Sequence, residues 1–236
     1  MKLKLATLAA LLAASPAFAD TTNGPNPYAA GLGFDTPTEA TWGGWNRGDA
    51  GTSYAEWDNF VDATYAGTRT AAPDAGSSGV SNAHIGWNNG TFMAGSGNLY
   101  SFSVGEVFQV SLAGTSATGA MRAVLQVETW GNTIDSMLLN GLAPTFTQTT
   151  FSGLVMTDAV GEVDLKQTLY YWDLTAMPAS YVFDFTAPVH TTVAQVAVDI
   201  AAAPVPEPET YAMLAAGLGL VGWQVRRRNK AAQAAA

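Results

Sequence analysis

The chain contains no cysteine, which excludes a disulfide framework, a zinc ribbon, an iron–sulfur cluster and a thiol nucleophile. Imidazoles are nearly as scarce. His84 and His190 are the whole supply, too few for a three-histidine zinc site and poor support for copper or iron. Charged residues make up 12% of the 236, against about 25% in ordinary soluble domains. Cations are rarest in the middle: between residues 20 and 205 only Arg47, Arg69, Arg122 and Lys166 face 17 acidic residues, a local charge of −13. Such a body repels phosphate backbones, so nucleic acid is excluded as a partner. No G-x-S-x-G occurs, and a Ser-His-Asp triad would have to be assembled from unmarked residues.

What is present is clearest at the two ends. Lys2 and Lys4 precede an apolar run, Leu5–Ala14, and a small-x-small site, Ala17-Phe18-Ala19. That order predicts a secretory signal peptide over residues 1–19, cleaved after Ala19. At the other end a proline-rich spacer, Pro204-Val205-Pro206-Glu207-Pro208, leads into the apolar run Tyr211–Val225 and then Arg226-Arg227-Arg228. As a helix the run rises about 22 Å, short for a hydrocarbon core of about 30 Å but eased by thinning of the bilayer and by snorkelling arginines. The arginines stay cytoplasmic by the positive-inside rule, which puts everything before Tyr211 on the far side of the membrane. The lysines at the front give the same topology.

This tail resembles the PEP-CTERM sorting signal of Gram-negative bacteria. In that signal a Val-Pro-Glu-Pro motif, an apolar helix and an arginine cluster stand in fixed order at the C-terminus. Here these are Val205-Pro206-Glu207-Pro208, residues 211–225 and Arg226, Arg227 and Arg228. The resemblance covers only residues 204–236, and Ala231–Ala236 prolong the tail beyond the basic cluster where many members stop. It implies an inner-membrane intermediate, recognition by exosortase (a membrane-embedded cysteine transpeptidase) and a host that also makes exopolysaccharide. Gly217-Leu218-Gly219-Leu220-Val221-Gly222 matches the dinucleotide pattern G-x-G-x-x-G. It lies inside the apolar run rather than between a strand and a helix, and reads as small-residue spacing in a membrane helix.

Residues 20–203 read as one exported domain. Period-two alternation recurs in Glu106–Ala113, Met121–Glu128, Val163–Tyr171, Tyr181–Phe185 and Val196–Ile200, and more weakly in Leu99–Val104 and Thr149–Met156. Gly105, Gly114, Asn140-Gly141, Gly161 and Pro178 punctuate these runs. The pattern predicts an all-β fold, an antiparallel β-sandwich of jelly-roll type with one solvated face per sheet. Arg122, Gln126 and Glu128 are expected on that solvated face. Residues 20–98 are loop-rich, with Trp42, Trp45, Trp57 and Trp87 among Gly, Asn, Ser and Asp.

No reaction centre is marked. Glu162 with Asp164, or Glu56 with Asp58, have one-face spacing in a strand, but scattered acids yield such spacings by chance, and no catalytic pair is assigned. Calcium is the one cofactor kept open, with Glu56, Asp58 and Asp62 as hard oxygen ligands outside any EF-hand spacing. Trp42, Trp45, Trp57 and Trp87 are the candidates for stacking on sugar rings, although burial is the expected place for any single Trp. The leading reading is a non-enzymatic surface or matrix protein, structural or adhesive in association with exopolysaccharide. A carbohydrate-binding module and an extracellular glycan hydrolase are the alternatives.

Overall fold

The computed structural model describes residues 24–58, 60, 69–74, 82–88, 90–102, 105–114, 119–203 and 216–221. Among the described residues twelve strands run in order: β1 (Ser53–Trp57), β2 (Thr70–Ala71), β3 (His84–Trp87), β4 (Thr91–Met93), β5 (Leu99–Ser101), β6 (Glu106–Ala113), β7 (Met121–Gly131), β8 (Ser136–Leu139), β9 (Phe146–Thr157), β10 (Gly161–Leu174), β11 (Ser180–Ala187) and β12 (Thr191–Ala202). All pairings among them are antiparallel. The first sheet has the order β4-β5-β12-β7-β10-β9, with β1 also paired to β12; the second has the order β2-β3-β6-β11-β8. The fold is therefore all-β, and the alternating runs of the sequence lie in strands, except that of Leu99–Val104 only Leu99–Ser101 is strand and residues 103–104 lie outside the described residues.

One apolar core serves both sheets. Leu125 and Val127 of β7, Val196, Val198 and Ile200 of β12, and Tyr170 and Trp172 of β10 belong to the same buried cluster as Phe108, Val110 and Leu112 of β6 and Tyr181, Phe183 and Phe185 of β11. Trp172 meets Phe183 edge-on across the layer at 5.4 Å and 68°. Each inward residue is flanked by outward ones, which is why period two in the sequence becomes a two-layer core in space.

The outward face of the first sheet departs from expectation. Gln126 and Glu128 are not solvated; Glu128 is 2% exposed. Residues 24–52 lie across this face: their backbone bonds Gln126 and Gln167, and side chains of the sheet bond Glu128. Asp35 N donates to Gln126 Oε1 at 2.9 Å, and Gln126 Nε2 donates to Asp35 O at 3.0 Å. Gly33 N donates to Gln167 Oε1, while Gln167 Nε2 and Trp130 Nε1 both donate to the Glu128 carboxylate, at 2.7 and 3.0 Å. Polar side chains on a strand face satisfy a loop as readily as they satisfy solvent. Gly33 has to be glycine for this docking, since a Cβ there would stand 2.8 Å from the backbone carbon of Thr150 on β9.

A second departure lies in β10. Its first half carries Val163 and Leu165 outward, against Trp130, Ala194 and Phe151, and leaves Glu162 and Asp164 exposed on the other side. From Tyr170 onward the opposite set, with Trp172, turns into the core. One strand thus buries each of its faces in turn.

The chain divides into two compact units, residues 1–202 and 203–236. In the second, residues 216–221 are helical and exposed. No helix among the described residues is long and apolar enough to cross a membrane. The expected signal peptide, residues 1–19, and most of the expected sorting helix, residues 211–225, lie outside the described residues.

Candidate functional site

The outward corner of the first sheet near the start of β7 and the end of β10 holds an open cleft of about 490 Å³. Its floor follows from register. Tyr171 on β10 stands opposite Phe146 on β9, and the rings stack at 5.0 Å and 15°. Arg122, from β7 on the other side, lays its guanidinium 4.4 Å from the Tyr171 ring centre. The Arg122 guanidinium is fixed by two hydrogen bonds of 2.7 Å to Asp173 and one of 3.0 Å to Trp42 O. Hydrogen bonding to Asp173 holds Arg122 above its ordinary pKa, so the guanidinium stays charged.

The walls come from the docked segment and from β9. Trp42 sits on Val124 and Leu169, with the ring of Trp45 edge-on to it at 5.8 Å and 60°. Asp35, Gln148 and Thr150 supply polar groups around the aromatic floor. Burial raises the Asp35 carboxyl above the usual carboxylate range, and Glu39 pushes it in the same direction. Phe146 is 37% exposed. Flat apolar ring, amides, hydroxyls and a fixed ion pair together suit a neutral, hydroxyl-rich ligand with an apolar face.

The four tryptophans proposed for stacking fare differently. Trp57, 1% exposed, ends β1 inside the main core and donates Nε1 to Ala71 O at 3.2 Å. Trp87 on β3 is in the same core. Neither presents a face to a sugar, because a layer between two sheets needs large side chains to fill it. Trp42 is buried but lines the cleft, and half-buried Trp45 braces it. The sequence reading missed Phe146 and Tyr171. A signal existed in Tyr170-Tyr171-Trp172: three aromatics in a row on a strand must put at least one ring on the outward face.

Of the calcium candidates, Glu56 and Asp58 are among the described residues. Glu56 turns outward from β1 and engages Tyr54 Oη and Gln195 Nε2. Asp58 is buried, with its N–H donating to Asp74 Oδ2 at 2.6 Å. Asp62 lies outside the described residues. No group of three or more metal-ligating side chains occurs among the described residues.

Val205, Pro206, Glu207 and Pro208, like Arg226, Arg227 and Arg228, also lie outside the described residues. Comparison with curated proteins and with solved structures gave no match. A family model described as the PEP-CTERM protein-sorting motif matches residues 204–228. The span begins at the proline-rich spacer and ends on the last arginine of the basic cluster, so all three parts of the tail fall within it. Through those residues the chain carries a PEP-CTERM protein-sorting motif, which implies export and processing by exosortase.

Proposed function

We propose that the protein is delivered by exosortase to the cell surface or extracellular matrix, where its β domain associates with exopolysaccharide by binding rather than catalysis. The match over residues 204–228 carries the first part. The aromatic-floored cleft supports the second. The non-catalytic reading rests on the carboxylates there: both Asp173 oxygens are engaged by Arg122, whereas glycoside hydrolysis calls for a second carboxylate at work beside a raised-pKa acid such as Asp35. The winding has a jelly-roll-like reading. β5-β12-β7-β10 faces β6-β11-β8, and β9 stays beside β10 instead of completing the second sheet.

Intact mass of the mature product tests the sorting step. In cells with exosortase, both residues 1–19 and the apolar run 211–225 should be gone; without it, the run should remain. Retention of the run in the presence of exosortase overturns the reading. For the cleft, Phe146→Ala should weaken retardation of the protein in native gels containing neutral polysaccharide by about ten-fold, the scale of one lost ring contact. Unaltered retardation would exclude Phe146 as a sugar platform.

A further inference from the structure

A second group of rings occupies the diagonally opposite corner of the same sheet face. Phe92 on β4 pairs with Tyr100 on β5, and Tyr100 with Thr192 on β12, which in turn pairs with outward-facing Trp130. Phe92 and Tyr100 therefore point outward, with ring centres 5.6 Å apart at 75°. Phe102 lies 6.3 Å from Phe92, 6.2 Å from Tyr100 and 6.4 Å from His190, and is 59% exposed. Tyr100 Oη and His190 Nδ1 share a hydrogen bond of 2.8 Å. Four rings are thus gathered at the surface, where folding alone gains little from them.

The arrangement is held at some expense. His190 has a φ of +65°, a left-handed conformation that a residue with a Cβ adopts reluctantly. Its backbone N donates to Ser101 O at 2.8 Å. Gly131, with φ +85°, lets the turn come close: a Cβ there would be 2.7 Å from His190 O. Asn132 Nδ2 closes the turn on Val189 O at 2.9 Å. Glycine would suit position 190 better, yet an imidazole is kept and set against Tyr100. Strain retained at a surface ring cluster points to a ligand rather than to stability.

We infer that Phe92, Tyr100, Phe102 and His190 form a second glycan site, a platform for neutral pyranose units; this rests on the proposal that the β domain binds exopolysaccharide, not on the first cleft being its site. The four side chains hold no carboxylate, guanidinium or ammonium group, which disfavours an ionic ligand. Thr192, which pairs with Tyr100 on the same face, is small and polar, unlike the aliphatic centre of a protein interface. Ring faces take the apolar side of a sugar, and the Tyr–His pair offers a donor and an acceptor to its hydroxyls. Arg122 and Gly131 of β7 mark the two corners, about 30 Å apart at the ordinary strand rise. One protein molecule would then hold a polymer at two points, or join two polymers.

The test uses the purified full chain in native gels containing hydroxyethylcellulose or galactomannan, with alginate as the anionic comparison. Phe102→Ala should weaken retardation by either neutral polymer by about ten-fold. His190→Gly should also weaken it, by several-fold, while its thermal midpoint stays level or rises because glycine accepts the left-handed φ. Loss in Phe102→Ala with Phe146→Ala unaffected upholds this platform and removes the first cleft. Loss in Phe146→Ala alone does the reverse. No retardation of the wild type by either neutral polymer, or retardation by alginate only, overturns the platform. So does a Phe102→Ala variant whose only change is a smaller sedimentation coefficient, which would make the patch an interface between copies of the chain.

Discussion

Trp172→Ala is expected to lower the stability of the β domain by about 3–5 kcal/mol, the usual cost of removing a fully buried large aromatic. Three observations put it at the upper end. The side chain is buried between the sheets, it meets Phe183 edge-on, and its Nε1 donates to Leu142 O at 3.0 Å. Removal leaves a cavity that two hydrogen-bonded sheets cannot close, and it leaves the Leu142 carbonyl without that donor. In a domain of this size the loss corresponds to a fall in melting temperature of about 6–20 °C. Trp172→Phe keeps a ring and loses the N–H, so it should be the milder change. Urea unfolding followed by far-UV circular dichroism measures both. A loss below about 1 kcal/mol for the alanine variant would contradict the shared core.

The second large effect concerns an ion pair under the docked segment. Arg47 donates through Nε and one terminal nitrogen to the two Asp199 oxygens, both at 2.8 Å, and to Tyr28 Oη at 3.0 Å. Its guanidinium also lies 3.7 Å from the centre of the Tyr54 ring. Asp199 is buried on β12. Burial pushes its carboxyl up, and the Arg47 bonds pull it back only in part. Arg47→Met alone should therefore cost about 3–5 kcal/mol near neutral pH, because an uncompensated carboxylate remains inside. Arg47→Met with Asp199→Leu should recover most of that loss, since apolar replacement of a buried pair is often neutral.

The pH dependence fixes the cause. In Arg47→Met the folded pKa of Asp199 rises further above its unfolded value of about 3.9. A raised folded pKa contributes stability that is present below the unfolded pKa and is lost as pH climbs through the folded one. The deficit of the single variant against wild type should accordingly be smallest near pH 4 and grow toward neutrality. A deficit flat across that range would assign the effect to lost packing against Tyr28 and Tyr54 instead.

Much of the fold was legible because period two survives wherever a strand is long. β6, β7, β10, β11 and β12 all coincide with alternating runs. The short strands β1 to β4 and β8 were not legible. Each has only two to five residues, too few to show a period, and each exists by pairing with a neighbour rather than by its own propensity. The outward polar residues were misread for a plainer reason: Gln126 and Glu128 look the same in a sequence whether water bonds them or, as here, the backbone of Asp35 and the side chains of Gln167 and Trp130 do. The first cleft suffered likewise, since its floor joins β9 to β10 and its wall comes from more than a hundred positions upstream. The sorting tail needs no tertiary contact to be recognised, and it was read entirely from residue order.

β12 is the last strand before the sorting tail, yet it lies within the first sheet rather than at its edge. One side pairs with β7 from Thr191 to Ala202, and the other with β5 and then β1. The sheet cannot close until this strand has been threaded, so the N-terminal portions of a chain emerging from the translocation channel lack the centre they assemble around. Completion of the fold is thereby deferred until nearly the whole domain has emerged, which keeps the earlier segments pliable during passage.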